Sequence, residues 1–257
     1  GGHTRIDICG EKPIAPSAIP HPVYETTLET IVPEAMTRER IDRTTQAYVA
    51  AARRAVWAGF DCVEVHAAHG YLISQFHAPF ENERTDEYGG SLENRARFGL
   101  NVLRAIRAAV PTIGVIYRVS VDDYFKGGLT YEEGRTIALW AAKAGADALH
   151  ITAGHYRSKP TAHRMIPPMA EPDAPFLSYA ADVKKQANVP VIAVGRLGDP
   201  ATATDAVASG KADFIALGRT LVADPQWVEK LRNKEPIRRC LACNTCVDGM
   251  RSGAGIS

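Results

Sequence analysis

The feature that most restricts this chain is a short plan that it repeats three times. AGFDCVEVHA (58–67), AGADALHITA (144–153) and SGKADFIALG (209–218) each pass from a helix end through glycine and aspartate into an apolar strand. Gly59, Gly145 and Gly210 suit the left-handed residue that ends a helix. Repeated βα units of this kind predict a mostly parallel sheet covered by helices.

The wider pattern agrees. Strands rich in Val, Ile and Leu are expected over 61–66, 113–119, 147–152, 190–195 and 213–217. A helix is expected over 38–57, with Ile41, Tyr48, Ala52 and Val56 near one face. In the first strand Val63 and Val65 point one way, and Cys62, Glu64 and His66 point the other. A face carrying both Glu and His suits a barrel interior near its mouth better than an open sheet packed on helices, so the expected fold is a (β/α)8 barrel. Eight strands close such a barrel, yet only five are recognisable here. The first 60 residues hold a proline-rich stretch (EKPIAPSAIPHP, 11–22) and a loop to about residue 36, with no good strand. The chain therefore reads as a partial barrel of the last five βα units, with its N-terminal strands lying outside it.

Composition sets the class. The chain has 257 residues, 46% hydrophobic and 23% charged, enough for one sizeable core. A formal net charge of +1 gives no ground for nucleic acid or an anionic membrane surface as partner. No apolar run approaches the roughly 20 residues of a membrane span, and no signal-peptide pattern follows Gly1 and Gly2. The expected location is the cytoplasm. The five cysteines are an odd number, and three crowd into seven residues near the C-terminus. That distribution argues against a disulfide framework and for metal ligation in a reducing compartment.

Chemistry concentrates after the first strand, in HAAHGYLISQF (66–76) and NERTDEYGGSLENRARF (82–98). Barrel enzymes build their sites at the C-terminal ends of strands. His66, His69 and Tyr71 sit there, either converging on one small molecule or serving as a core histidine and packing groups. Arg118 ends the second strand, and Gly195-Arg196 and Gly218-Arg219 end the last two. Glycine amides and arginines at those two strand ends suit a phosphate, although glycine also merely ends strands. Cys240, Cys243 and Cys246 form a C-x2-C-x2-C run. Thiolates so spaced can hold three corners of a [4Fe–4S] cluster; a zinc knuckle is the competing reading.

The run from His66 to Phe98 closely resembles the signature of the old yellow enzyme family of FMN-dependent NAD(P)H oxidoreductases. The likeness extends through APSAIP (15–20), YRVSVDDY (117–124), VIAVGRLGD (191–199) and FIALGRTLVADP (214–225). The resemblance implies that His66 and His69 hold a substrate carbonyl and that Tyr71 protonates the α-carbon. It places Arg118 beside the flavin's pyrimidine end, and Gly195, Arg196, Gly218 and Arg219 on the phosphate of FMN. His155, in AGHYRSKPTAH (153–163), matches more loosely a histidine near the substrate; an exposed loop histidine is the other reading. Arg84, Asp86, Tyr88, Gly89, Gly90, Asn94 and Arg95 look structural, fixing the long loop.

The family branch containing 2,4-dienoyl-CoA reductase, trimethylamine dehydrogenase and 2-enoate reductase carries the cysteine motif just after its barrel. There a fourth cysteine follows roughly a dozen residues on. This sequence stops at Ser257 without one, and neither Cys9 nor Cys62 fits that role. The expected organisation is an FMN-binding barrel over 1–235 and the start of a [4Fe–4S] segment over 236–257. FAD and NAD(P)H sites are implied in further domains. The implied activity is reduction of a C=C bond conjugated to a carbonyl or thioester, in a possible homo-oligomer. The alternatives are an amine dehydrogenase-like flavoprotein and a non-catalytic fragment or zinc-knuckle module.

Overall fold

The repeated plan builds consecutive parallel strands. In the computed structural model, which describes residues 10–20, 32–158 and 161–252, short pieces β1 (Ile14–Ala15) and β2 (Glu34–Ala35) precede the main sheet. That sheet contains β3 (Cys62–Ala67), β4 (Gly114–Ser120), β5 (Ala148–Thr152), β6 (Val191–Val194) and β7 (Phe214–Ala216). All its pairings are parallel and its spatial order is its chain order, β3-β4-β5-β6-β7. A doubly wound sheet reverses its strand order at a switch point; this one never does. It is an arc of a (β/α)8 barrel, with helices on its outer side.

The glycine and the aspartate of the repeat have separate duties. Gly59, Gly145 and Gly210 have φ of +84°, +107° and +72°, so each ends its helix in a conformation costly for other residues. The aspartate then ties its strand to the preceding one. Asp147 Oδ2 accepts from Val115 N at 2.7 Å, and Asp213 Oδ2 accepts from Val191 N at 2.8 Å. Each carboxylate thereby satisfies an N–H at the start of a strand.

The helix Arg38–Trp57 lies where expected, started by Thr37, whose hydroxyl accepts from Arg40 N at 3.1 Å. Its buried face is Ile41, Val49 and Ala52. Val56, expected on that face, is exposed instead. The stretch expected to hold no strand contains the parallel pair β1–β2, too short for periodicity to announce. No helix among the described residues is long and apolar enough to cross a membrane.

The loop after β3 is fixed by polar contacts within itself and to the backbone of the N-terminal segment. Arg84 forms a two-pronged pair with Asp86 at 3.0 and 2.6 Å, and its Nη1 donates to Pro16 O and Met36 O. Asn82 Nδ2 donates to Phe76 O and Tyr88 O, and Asn94 Nδ2 donates to Gly89 O. A Cβ on Gly89 would lie 2.1 Å from Arg84 O. Gly89→Ala is therefore expected to cost about 1–3 kcal/mol, lowering the melting temperature by several degrees. An unchanged melt would mean that the loop yields at no cost.

Candidate active site

Strand alternation puts Glu64 and His66 of β3, Arg118 of β4 and His150 and Thr152 of β5 toward the barrel interior. In register, His66 lies opposite Arg118, which lies opposite His150. Glu64 joins the group, 2.7 Å from His150 Nδ1 and 3.9 Å from Arg118 Nη1. A cavity of about 670 Å³ opens beside them. His66, His69, Tyr71, Arg118, Gly195, Arg196, Gly218 and Arg219 all line it, so segments spread over 150 residues meet in one place.

The turn carrying His69 and Tyr71 is held from several sides. His69 and Gly70 have φ of +63° and +77°, two successive left-handed residues. His69 N donates to Ser120 Oγ at 2.9 Å, and Gly70 N donates to Ser74 Oγ at 3.0 Å. His69 Nε2 lies 3.0 Å from Thr152 Oγ1. These contacts offset the strain that a left-handed histidine carries. The His66 ring centroid is 5.4 Å from that of His69 and 5.1 Å from that of Tyr71.

Burial, with the positive charge of Arg118 second, depresses His66 to about 4. The same causes push His69 well below the usual histidine range. Both rings are therefore neutral at pH 7, each with one N–H donor and one acceptor nitrogen. In Glu64, burial is outweighed by the hydrogen bond and charge of His150 and by Arg118, so its carboxylate is favoured.

His155 is fully buried, and it is absent from the cavity wall. Its Nε2 lies 2.9 Å from Glu81 Oε2, and Arg157 N donates to its Nδ1 at 3.0 Å. Its ring packs under Gly70, where a Cβ would come within 2.4 Å of Cε1. The expected place beside a substrate is thus exchanged for one beneath the turn that carries His69 and Tyr71. Sequence reasoning passed over Thr152, Ser120, His150, Glu81 and Tyr156. Alternation along ALHIT would have found His150 and Thr152; the loop residue Glu81 carries no local signal.

Several features fit the cavity to FMN, Arg118 to its ring and the glycine-arginine pairs to its phosphate. Arg118 Nε is buried with no hydrogen-bond partner among the described residues, a donor in want of an acceptor. Nothing lies within 4 Å of where a Gly218 Cβ would stand, so its backbone is open to the cavity. Arg196 is held by Asp173 at 2.7 Å, and Arg219 donates to Asn244 Oδ1. The volume falls inside the roughly 300–1,000 Å³ usual for small-molecule sites.

The cysteine loop borders the same space, for Cys240, Leu241 and Ala242 line the cavity. Ala242 and Asn244 have φ of +54° and +65°, which turns the chain between successive cysteines. Ala242 N donates to Cys240 Sγ at 3.4 Å. The donor chemistry, three thiols spaced by left-handed turns, suits three corners of a cluster, but their positions do not assemble one. In the present arrangement no three His, Cys, Asp or Glu side chains among the described residues stand in metal-holding positions. Cys62 lies on β3, and Cys9 lies outside the described residues.

Comparison with known proteins points one way. Residues 3–237 match the NADH:flavin oxidoreductase / NADH oxidase family. The chain is 41% identical over 244 residues to the NADH oxidase of Thermoanaerobacter brockii, covering 93% of this chain and 36% of that protein. A 2-naphthoyl-CoA reductase in complex with 2-naphthoyl-CoA superposes with a TM-score of 0.84 at 34% identity, over 91% of this chain and 35% of that one. Histamine dehydrogenase from Rhizobium sp. 4-9 gives 0.85 at 30% identity, over 97% and 36%. The chain thus spans little more than a third of the length of these proteins.

Proposed function

The chain belongs to the NADH:flavin oxidoreductase / NADH oxidase family, the old yellow enzyme family, and from that premise we propose that it forms the substrate-reducing site of an FMN-dependent NAD(P)H oxidoreductase. The substrate class is a C=C bond conjugated to a carbonyl or thioester. The observation that carries this reading is the wall of two neutral imidazoles and a phenol beside Arg118, whose buried Nε has no acceptor among the described residues.

FMN, when bound, supplies the hydride; the remaining work belongs to the chain. Arg118 would face the flavin's pyrimidine end, and Gly195, Arg196, Gly218 and Arg219 its phosphate. His66 and His69 donate to the substrate's carbonyl oxygen, where charge builds as its β-carbon is reduced. Tyr71 gives its proton to the α-carbon. Cys240, Cys243 and Cys246 would hold a [4Fe–4S] centre, with FAD and NAD(P)H completing the electron supply. This divides the chain into an FMN barrel over 1–235 and the start of a cluster segment over 236–257.

The likeness to histamine dehydrogenase keeps amine oxidation as a second reading. A cationic amine wants an aromatic cage. The histidine pair instead offers N–H donors, and Arg118 repels a cation, so the carbonyl substrate is favoured. The full-length protein that contains this chain should take up FMN and, under anaerobic conditions, reduce 2-cyclohexenone with NAD(P)H. Replacing His66 and His69 by alanine together should cut that turnover by about 10²–10³-fold, the range for removing an oxyanion donor. FMN binding followed by oxidation of tertiary amines alone would overturn the carbonyl assignment.

A further inference from the structure

Loop connectivity places a second phenol against the first. A parallel bridge joins His69 to His155, so the loops after β3 and β5 run side by side across the mouth. Each then presents a tyrosine: Tyr71 two residues past His69, and Tyr156 one past His155. Tyr156 has little choice of direction. Its neighbours are both tied beneath the mouth, His155 to Glu81 at 2.9 Å and Arg157 Nε to Glu81 Oε1 at 3.5 Å. The residue between them faces the other way, and Tyr156 lines the cavity with Tyr71. The two hydroxyl oxygens lie 3.1 Å apart, and the rings meet edge to face at 5.7 Å and 87°.

We infer that Tyr156 is a positioning residue that acts through Tyr71, donating its O–H to the Tyr71 oxygen so that this phenol points at the substrate and yields its proton more readily. The inference rests on the proposed role of Tyr71 as proton donor. When Tyr71 gives up its proton, its O–H bond breaks, a C–H bond forms at the substrate's α-carbon, and the negative charge stays on the Tyr71 oxygen. A hydrogen bond to an anionic oxygen is roughly twice as strong as one between neutral groups. The donation from Tyr156 therefore favours the product side of the transfer. Tyr156 keeps its own proton throughout, and solvent restores that of Tyr71. Among the described residues, the titratable groups of the cavity wall on this side include His66 and His69, from β3 and its loop, and Arg118 of β4. All three are present equally in the variants below, so the comparison isolates Tyr156.

The test is carbon-13 NMR of protein labelled at tyrosine Cζ, with the Tyr71 signal identified by its loss in Tyr71→Phe. In Tyr156→Phe, which keeps the ring contact, the pH at which that signal changes should rise by about one unit. Turnover of 2-cyclohexenone should fall roughly tenfold with KM held, and its solvent isotope effect should grow as proton transfer becomes more limiting. Tyr156→His, which restores a donor, should recover part of the loss. If Tyr71→Phe abolishes turnover while the Tyr71 signal titrates identically in wild type and Tyr156→Phe, the inference falls and the proton-donor role stands. If Tyr71→Phe leaves turnover intact, the proton-donor role falls and takes this inference with it.

Discussion

Tyr71→Phe is expected to lower enone turnover by roughly 10²–10⁴-fold, the usual contribution of a positioned general acid. The substitution removes one oxygen and little else. Phenylalanine keeps the contacts of the ring with His66, 5.1 Å away, and with Tyr156, 5.7 Å away. The turn is fixed by the hydrogen bonds of His69 and Gly70, so its shape does not depend on the phenol. KM should therefore stay within a few-fold, because substrate binding rests on the two imidazoles. Reduction of the flavin by NAD(P)H involves no protonation at carbon and should proceed at its ordinary rate. Rapid-mixing kinetics separates the two half-reactions. A slow flavin-reduction step in the variant would show that the residue shapes the flavin site rather than delivering a proton.

How much of this was legible beforehand differs between the sheet and its surroundings. The five strands were recoverable to within a residue or two because each is short and rich in β-branched or apolar residues, and because the same Gly-Asp signal precedes three of them. That the residues at the strand ends would line one cavity was legible for a related reason: a barrel fixes where its mouth lies. What escaped depends on contacts between loops. His155 and Glu81 are 74 positions apart, and no local pattern tells that their pairing turns the histidine inward. Thr152 and Ser120 are ordinary strand residues until His69 folds over them. The short β1–β2 pair escaped for want of length, since two residues have no period.

The same buried histidines make the fold acid-sensitive. Burial depresses His66 to about 4 and, with Arg95 second, His77 to about 3, and it pushes His69 well below the usual range. In the unfolded chain each titrates near 6.5. Between about pH 6 and 4.5 the unfolded state therefore binds up to three protons that the fold refuses, and each lowers stability by up to about 1.4 kcal/mol per pH unit as pH falls. Asp123 works in the opposite direction: burial raises it to about 7, so the fold holds a proton there that the unfolded chain releases. In His155 burial is outweighed by the hydrogen bond and charge of Glu81, so it too holds its proton in the fold, and three groups against two leave a net loss toward acid.

His77 tests this cleanly, since it lies off the cavity and both its ring nitrogens lack hydrogen-bond partners among the described residues. Its backbone oxygen, which accepts from Arg95, survives any substitution. His77→Leu exchanges an unsatisfied polar ring for an apolar side chain of similar volume, a change that can be neutral or stabilising. Chemical denaturation at pH 7 should give equal or higher stability. At pH 5 the variant should exceed wild type by about 2 kcal/mol, the share of one histidine over that interval. Parallel stability–pH curves for the two proteins would mean that the ring is protonated inside the fold, paired with an acceptor that the present arrangement does not provide.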